Sequence, residues 1–124
     1  MSRGTERCLG AWGEALAARW LYRQGFTLLA HGFRCREGEI DLIARKDDLL
    51  AVVEVKLRSG RWEAGAAAVT ERKQRRIRTA LGRYLLAHPE LSDCRIRFDV
   101  CQITAPDGTS TARPELDYLE NAFY

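Results

Sequence analysis

A chain of 124 residues, 46% hydrophobic and 30% charged, carries enough apolar material for one packed domain and is too apolar to stay disordered. Its net charge of +3, from 20 Lys and Arg against 17 Asp and Glu, is too mild to mark a nucleic-acid binder by bulk charge alone. No apolar run approaches the roughly 18 residues of a membrane span, and Met1–Arg7 lacks a signal-peptide core; a cytoplasmic, membrane-free single domain over 1–124 is the expectation.

The first element is a helix over 6–24, with Leu9, Trp12, Leu16 and Trp20 at three- and four-residue intervals and Gly25 as its stop. Glu14 lies off that stripe, on a smaller face with Ala17, Ala18 and Leu21. Phe26–Ala30 suits a short strand, broken at His31-Gly32, and Phe33–Arg36 a second one. Glu37-Gly38 turns the chain into a strand that starts at Glu39, and Asp47-Asp48 is the next turn. Leu49–Val55 is almost continuously apolar, the pattern of a central strand covered on both faces. Residues 59–65 read as a loop, and Ala66–Val69 as a brief helical turn. A long helix follows, with Thr70 as N-cap, Ile77, Leu81, Tyr84 and Leu85 as its apolar stripe, and His88-Pro89 as its end. Arg95–Thr104 alternates as a strand, Pro106-Asp107-Gly108 turns, and Leu116–Leu119 is a last strand or edge segment.

Four ionisable residues interrupt the two apolar strands between Gly38 and Arg58. Alternation puts Glu39 and Asp41 on one face of the first strand, and Glu54 and Lys56 on one face of the second. In a hairpin, three carboxylates and one ammonium then lie together. Carboxylates in an apolar setting repel one another and are costly to desolvate, and a divalent cation resolves both problems. Asp41 and Glu54, with the backbone carbonyl of Val55, offer the hard oxygens that Mg2+ (or Mn2+) takes. Glu39 is a further oxygen donor, and Lys56 is placed to orient a water or neutralise phosphate charge. The chemistry this set supports is hydrolysis of a phosphodiester.

The second helix carries Arg72, Lys73, Arg75, Arg76, Arg78 and Arg83, with Glu71 the only acid beside them. Phosphate binding gives that imbalance a reason. Lys73 and Gln74 lie one turn before the apolar stripe and are expected to point toward the sheet. Trp62 and Arg61 in the preceding loop suit either base stacking or packing. Cys8, Cys35, Cys94 and Cys101 lack the short spacers of a zinc site and read as free thiols, and His31 and His88 have no visible partners.

Several strings together resemble one family: Gly13-Glu14, Gly38-Glu39-Ile40-Asp41-Leu42-Ile43-Ala44, Val53-Glu54-Val55-Lys56-Leu57-Arg58, Ala68-Val69-Thr70 with Lys73, Arg97-Phe98-Asp99-Val100, and Asn121-Ala122-Phe123. They look like the YraN family, small bacterial proteins with a predicted restriction-endonuclease-like fold related to archaeal Holliday junction resolvases. Asp41 and Glu54-Val55-Lys56 resemble the PD-(D/E)xK nuclease signature. The resemblance runs from Gly13 to Phe123 and departs at His31-Gly32-Phe33, where many members carry Asn-Tyr or Asn-Phe.

The resemblance implies an α/β fold, a mixed central sheet of four or five strands flanked by helices. It implies that Asp41 and Glu54 hold a metal and that Lys56 is the catalytic lysine. Glu14 matches a first-helix acid of resolvase-like members, and Lys73 or Gln74 a further active-site or DNA-contacting position. Arg72 and Arg76 join them as expected nucleic-acid contacts. The expected function is a Mg2+- or Mn2+-dependent endonuclease acting on structured or branched DNA, with a homodimer as the matching assembly. The alternatives are a non-catalytic nucleic-acid-binding module on the same fold, or a protein-interaction domain.

Overall fold

Leu49–Val55, the most continuous apolar run of the chain, forms the middle of the sheet, where both faces are covered. The computed structural model describes residues 3–59, 69–105 and 114–123. Its elements run α1 (Arg3–Arg23), β1 (Thr27–Cys35), β2 (Gly38–Lys46), β3 (Leu49–Ser59), α2 (Glu71–Ala87), a short 3-10 turn (Pro89–Leu91), β4 (Arg95–Ala105) and β5 (Glu115–Phe123). The protein is α/β, with a five-stranded mixed sheet in the order β1-β2-β3-β4-β5. All neighbours are antiparallel except β3 and β4, which are parallel. Parallel neighbours need a long crossover, and α2 lies within it. No helix among the described residues is long and apolar enough to cross a membrane.

The two helices cover opposite faces. α2 buries Ile77, Ala80, Leu81 and Tyr84 against Ile40, Ile43, Leu50, Val52 and Val100. α1 buries Ala17 and Leu21 against Leu42, Ala44, Ala51, Val53, Cys101 and Ile103. This corrects the expected stripe of α1. Its deepest seam is Gly13, Ala17 and Leu21, while Trp12, Leu16 and Trp20 are half-buried at its side. Small residues let the helix sit close: a Cβ on Gly13 would lie 2.7 Å from Leu57. Glu14, next to that seam, is thereby carried to the sheet. α1 ends as its glycine predicts. Gly25, at φ +93, donates to Tyr22 O and Phe26 donates to Leu21 O, the paired bonds of a Schellman stop.

Two strand expectations are also corrected. His31-Gly32 does not break the strand, and β1 runs through them in register with β2, His31 opposite Leu42 and Phe33 opposite Ile40. What breaks is the alternation of faces. Ala30 and Phe33, three apart, both pack on the α2 side. Gly32 takes φ +59 at that point, a left-handed conformation that glycine adopts without strain. The last strand is longer than Leu116–Leu119, because Asn121 at φ +53 sits in an irregularity that returns Phe123 to the core opposite Phe98. Thr70 caps α2 as expected, its Oγ1 accepting from the Lys73 N–H at 3.2 Å. Cys35, Cys94 and Cys101 carry free thiols. The expected turns at residues 66–68 and 106–108, the Arg61-Trp62 pair and the side chains of Cys8 and Leu9 lie outside the described residues.

Candidate functional site

The β2–β3 ladder runs from Lys46↔Leu49 to Leu42↔Val53 and stops. β3 continues beside β4 as far as Ser59↔Ala105, and β2 continues beside β1 to Gly38. The sheet therefore forks, and Asp41 and Glu54 are the first residues past the fork. Asp41 turns its carboxylate across the gap: Oδ2 accepts the Val55 N–H at 2.8 Å, serving a backbone donor that the ended ladder no longer reaches. The fork coincides with the break of alternation. Ile40 packs toward α2 and Leu42, two residues on, toward α1. Gly32, at the facing position of β1, absorbs the twist.

Each layer of the molecule delivers a charged group to this fork. Glu54, on the α2 face of β3, is 5% exposed, and its carboxylate is ion-paired with the ammonium of Lys73. Lys73 stands there because Thr70 starts α2 one turn earlier. From the other face α1 brings Glu14, half-buried beside His31 and Leu42. Burial raises the Glu14 carboxyl above its usual range, with Glu39 and Glu54 adding to the rise and His31 and Arg34 opposing it. Burial, then the charge of Glu54, pushes Asp41 up to about 7, against the Val55 hydrogen bond and Lys73. Burial opposes charge on Lys73, but Glu54, Asp41 and Glu39 outweigh it and raise the ammonium. Lys56, half-buried one strand step beyond Glu54, is lowered by burial and by Arg58, with Lys73 adding and Glu54 opposing.

Glu39 turns to Arg34, half-exposed and ion-paired with it at 3.0 Å, while its charge still acts on Glu14 and Lys73. Gln74 also turns elsewhere: its Nε2 donates to Val69 O at 2.7 Å and ties down the chain ahead of α2. Among the basic residues of α2, Arg83 is spent on Glu37 at 2.6 Å and Arg78 lies over the Phe98 ring. Arg72, Lys73 and Arg76 face a cleft of about 540 Å3 against the β1–β2 hairpin. Among the described residues no three His, Cys, Asp or Glu side chains converge as a ready-made metal site. The fork offers two carboxylates with Lys73 as their cation.

Sequence reasoning passed over two charged groups. Arg34 is one, and its only signal is a cationic residue in register with Glu39 across the hairpin. The other is Asp99, fully buried on the α1 face. It accepts from Arg97 Nε at 2.9 Å, Tyr118 Oη at 2.6 Å and Asn121 N at 2.9 Å. Every oxygen is served, so Asp99 is a lock between β4 and β5.

The molecule is thus an α/β protein with a forked five-stranded mixed sheet and an acidic cluster, crossed by a lysine, at the fork. Residues 13–103 match the model of the uncharacterised protein family UPF0102. A UPF0102 protein of Kineococcus radiotolerans is 45% identical over 80% of this chain and 82% of its own length. A second, from Frankia casuarinae, is 41% identical over 93% of this chain and 95% of its own. A third, from Geobacter metallireducens, is 41% identical over 94% and 93%. The chain belongs to family UPF0102, the YraN family.

Proposed function

We propose that the protein is a divalent-metal-dependent endonuclease of restriction-endonuclease-like fold, hydrolysing phosphodiester bonds in structured or branched DNA. The observation that carries this reading is the pair Asp41–Glu54 at the fork, where burial first and the charge of Glu54 second raise the Asp41 carboxyl to about 7. Such an arrangement is costly for a structure and useful for a cation.

The donor set fits Mg2+ or Mn2+. Mg2+ is bound through one or two carboxylates and keeps waters and substrate phosphates as its other ligands. Asp41 has Oδ1 to offer beyond the Val55 bond, Glu54 has its carboxylate, and the Val55 carbonyl adds a third oxygen. A bound divalent ion supplies Lewis acidity toward a phosphate oxygen and acidifies water. The remaining work falls to side chains. Lys56, its ammonium made more acidic by burial, suits proton exchange with water or a departing oxygen. Lys73 moves from Glu54 to phosphate, Glu14 and Glu39 assist from either side, and Arg72 and Arg76 hold the strand. A two-fold dimer, through the exposed edges β1 or β5, suits a substrate with two symmetry-related strands.

The test is cleavage of linear, flap and four-way DNA by purified protein in Mg2+ and Mn2+. Asp41→Asn and Glu54→Gln are expected to lower the rate at least a hundredfold, and unchanged rates in both variants would sink the reading. One observation favours a second reading. Lys73 already neutralises Glu54, so the buried charge of that acid is balanced without a metal, as a non-catalytic nucleic-acid-binding module requires. DNA binding with no cleavage in Mg2+, Mn2+ or Co2+ selects it.

A further inference from the structure

The cleft between the β1–β2 hairpin and the first turns of α2 has a construction that an open helix face lacks. One wall is Arg34 and Glu39, and the other is Arg72, Lys73 and Arg76. The walls are held at fixed spacing. Arg76 Nε donates to Glu37 O at 3.1 Å, and Arg83 pairs with the Glu37 carboxylate. The hairpin also touches the helix backbone at Gly38, where a Cβ would lie 2.9 Å from Arg76 O. A substitution there drives the walls apart. Glu39 in turn holds Arg34 by its Nε. Both guanidinium groups have further N–H donors to offer in a planar fork. The cleft counts four cationic side chains against one carboxylate.

We propose that this cleft is a phosphate-binding subsite for a nucleic-acid strand, with Arg34 as its clamp from the hairpin side. Guanidinium forks on two facing walls match the oxygens of a phosphodiester, which an isolated carboxylate matches on one wall only. Lys73 belongs to both this cleft and the Asp41–Glu54 fork, so the phosphate held here is a neighbour of the one at the acids. That placement rests on the nuclease reading, whereas the binding itself does not. The basic residues of α2 thereby divide by place: Arg78 over Phe98 and Arg83 on the Glu37 carboxylate do not line the cleft, whereas Arg72, Lys73 and Arg76 line it and meet the strand.

The experiment measures binding of a fluorescein-labelled single-stranded oligodeoxynucleotide in EDTA, over a salt series, to the wild type and to Arg34→Gln, Arg72→Gln and Arg95→Gln. All three arginines are exposed, and Arg95 pairs with Asp48 far along the sheet from the cleft. Arg34→Gln and Arg72→Gln should each weaken binding about tenfold and lower the log–log salt slope by about 0.7. Arg95→Gln should bind as wild type. The proposal is overturned if Arg34→Gln keeps the wild-type affinity and slope, or if Arg95→Gln loses as much. It is equally overturned if a polyglutamate peptide binds with the Arg34 dependence and the oligonucleotide does not bind. The assay contains no metal, so binding through Arg34 supports this proposal whatever the cleavage test in Mg2+ and Mn2+ returns, and absence of cleavage in that separate test refutes the nuclease reading alone.

Discussion

Asp41 is where the cost of the fork is measurable. Its carboxyl titrates near 3.8 when free of the fold and at about 7 within it, because burial and Glu54 disfavour the charge. The folded state thus binds the proton more tightly than the unfolded one. The associated stability is fully present below about pH 4, is lost as pH rises through 7, and stays lost above it. A shift of that size is worth on the order of 4 kcal/mol. Asn at this position keeps an oxygen for the Val55 N–H and removes the charge. Urea unfolding between pH 4 and 8 should therefore show Asp41→Asn gaining on the wild type as pH rises, and exceeding it by a few kcal/mol at pH 8. Parallel pH profiles for the two proteins would refute the raised Asp41 carboxyl, whose causes are burial first and the charge of Glu54 second. Both acids were legible in the sequence, because an ionised group in an apolar strand is rare enough to demand a reason. The partner of Glu54 was half legible: the helical period brought Lys73 toward the sheet without saying which acid it would meet. Glu39 was legible as an acid of the hairpin, but its pairing with Arg34 depends on the cross-strand register, which residue order alone does not state.

Element boundaries repeat that lesson. Apolar periodicity and the Thr70 cap located α2, and the run Leu49–Val55 located the central strand, because burial on one or both faces writes itself into residue order. The turns inside β1 and β5 were not legible. At Gly32 and Asn121 a positive φ lets a strand change face and continue, and the same residues in a sequence look like a stop. The β5 case depends on Asp99. Its carboxylate receives Arg97, the Tyr118 hydroxyl and the Asn121 N–H, and Tyr118 stacks on Trp20 of α1 with ring centroids 4.3 Å apart. One buried acid therefore joins β4, the kink of β5 and the first helix. Asp99→Ala leaves a guanidinium with little exposure, a phenol and a backbone N–H without their acceptor. Chemical denaturation should show a loss of about 3–5 kcal/mol. Glu120→Gln is the control: it contacts Arg97 only at 3.7 Å from an exposed position and should change stability by less than about 0.5 kcal/mol. A small loss at Asp99 would mean that β5 is held by its apolar contacts alone.

For the whole molecule, the metal site proposed at the fork would tie cation binding to folding, which gives that proposal a readout independent of catalysis. An ion that binds only the folded chain stabilises it by about 2.7 kcal/mol at a hundredfold its Kd, a rise in Tm of about 10 °C for a domain of this size. Two features of the site set how that rise should vary. Asp41 must lose its proton to act as a ligand, so the Mn2+-induced shift should be small at pH 5.5 and grow through pH 7 to a plateau. Lys73 must release Glu54, so the ion competes with an internal cation. Lys73→Met leaves Glu54 buried without that ammonium, which lowers the Tm of the metal-free protein and enlarges the Mn2+ shift beyond the wild-type value. Asp41→Asn and Glu54→Gln should each remove most of the shift at every pH. Differential scanning fluorimetry with Mn2+ and with Ca2+, across pH 5.5–8.5, distinguishes these outcomes from a general ionic effect, which would act on all four proteins alike. If neither the wild type nor Lys73→Met shifts its Tm with Mn2+, the two carboxylates at the fork are held for Lys73 and for no other cation.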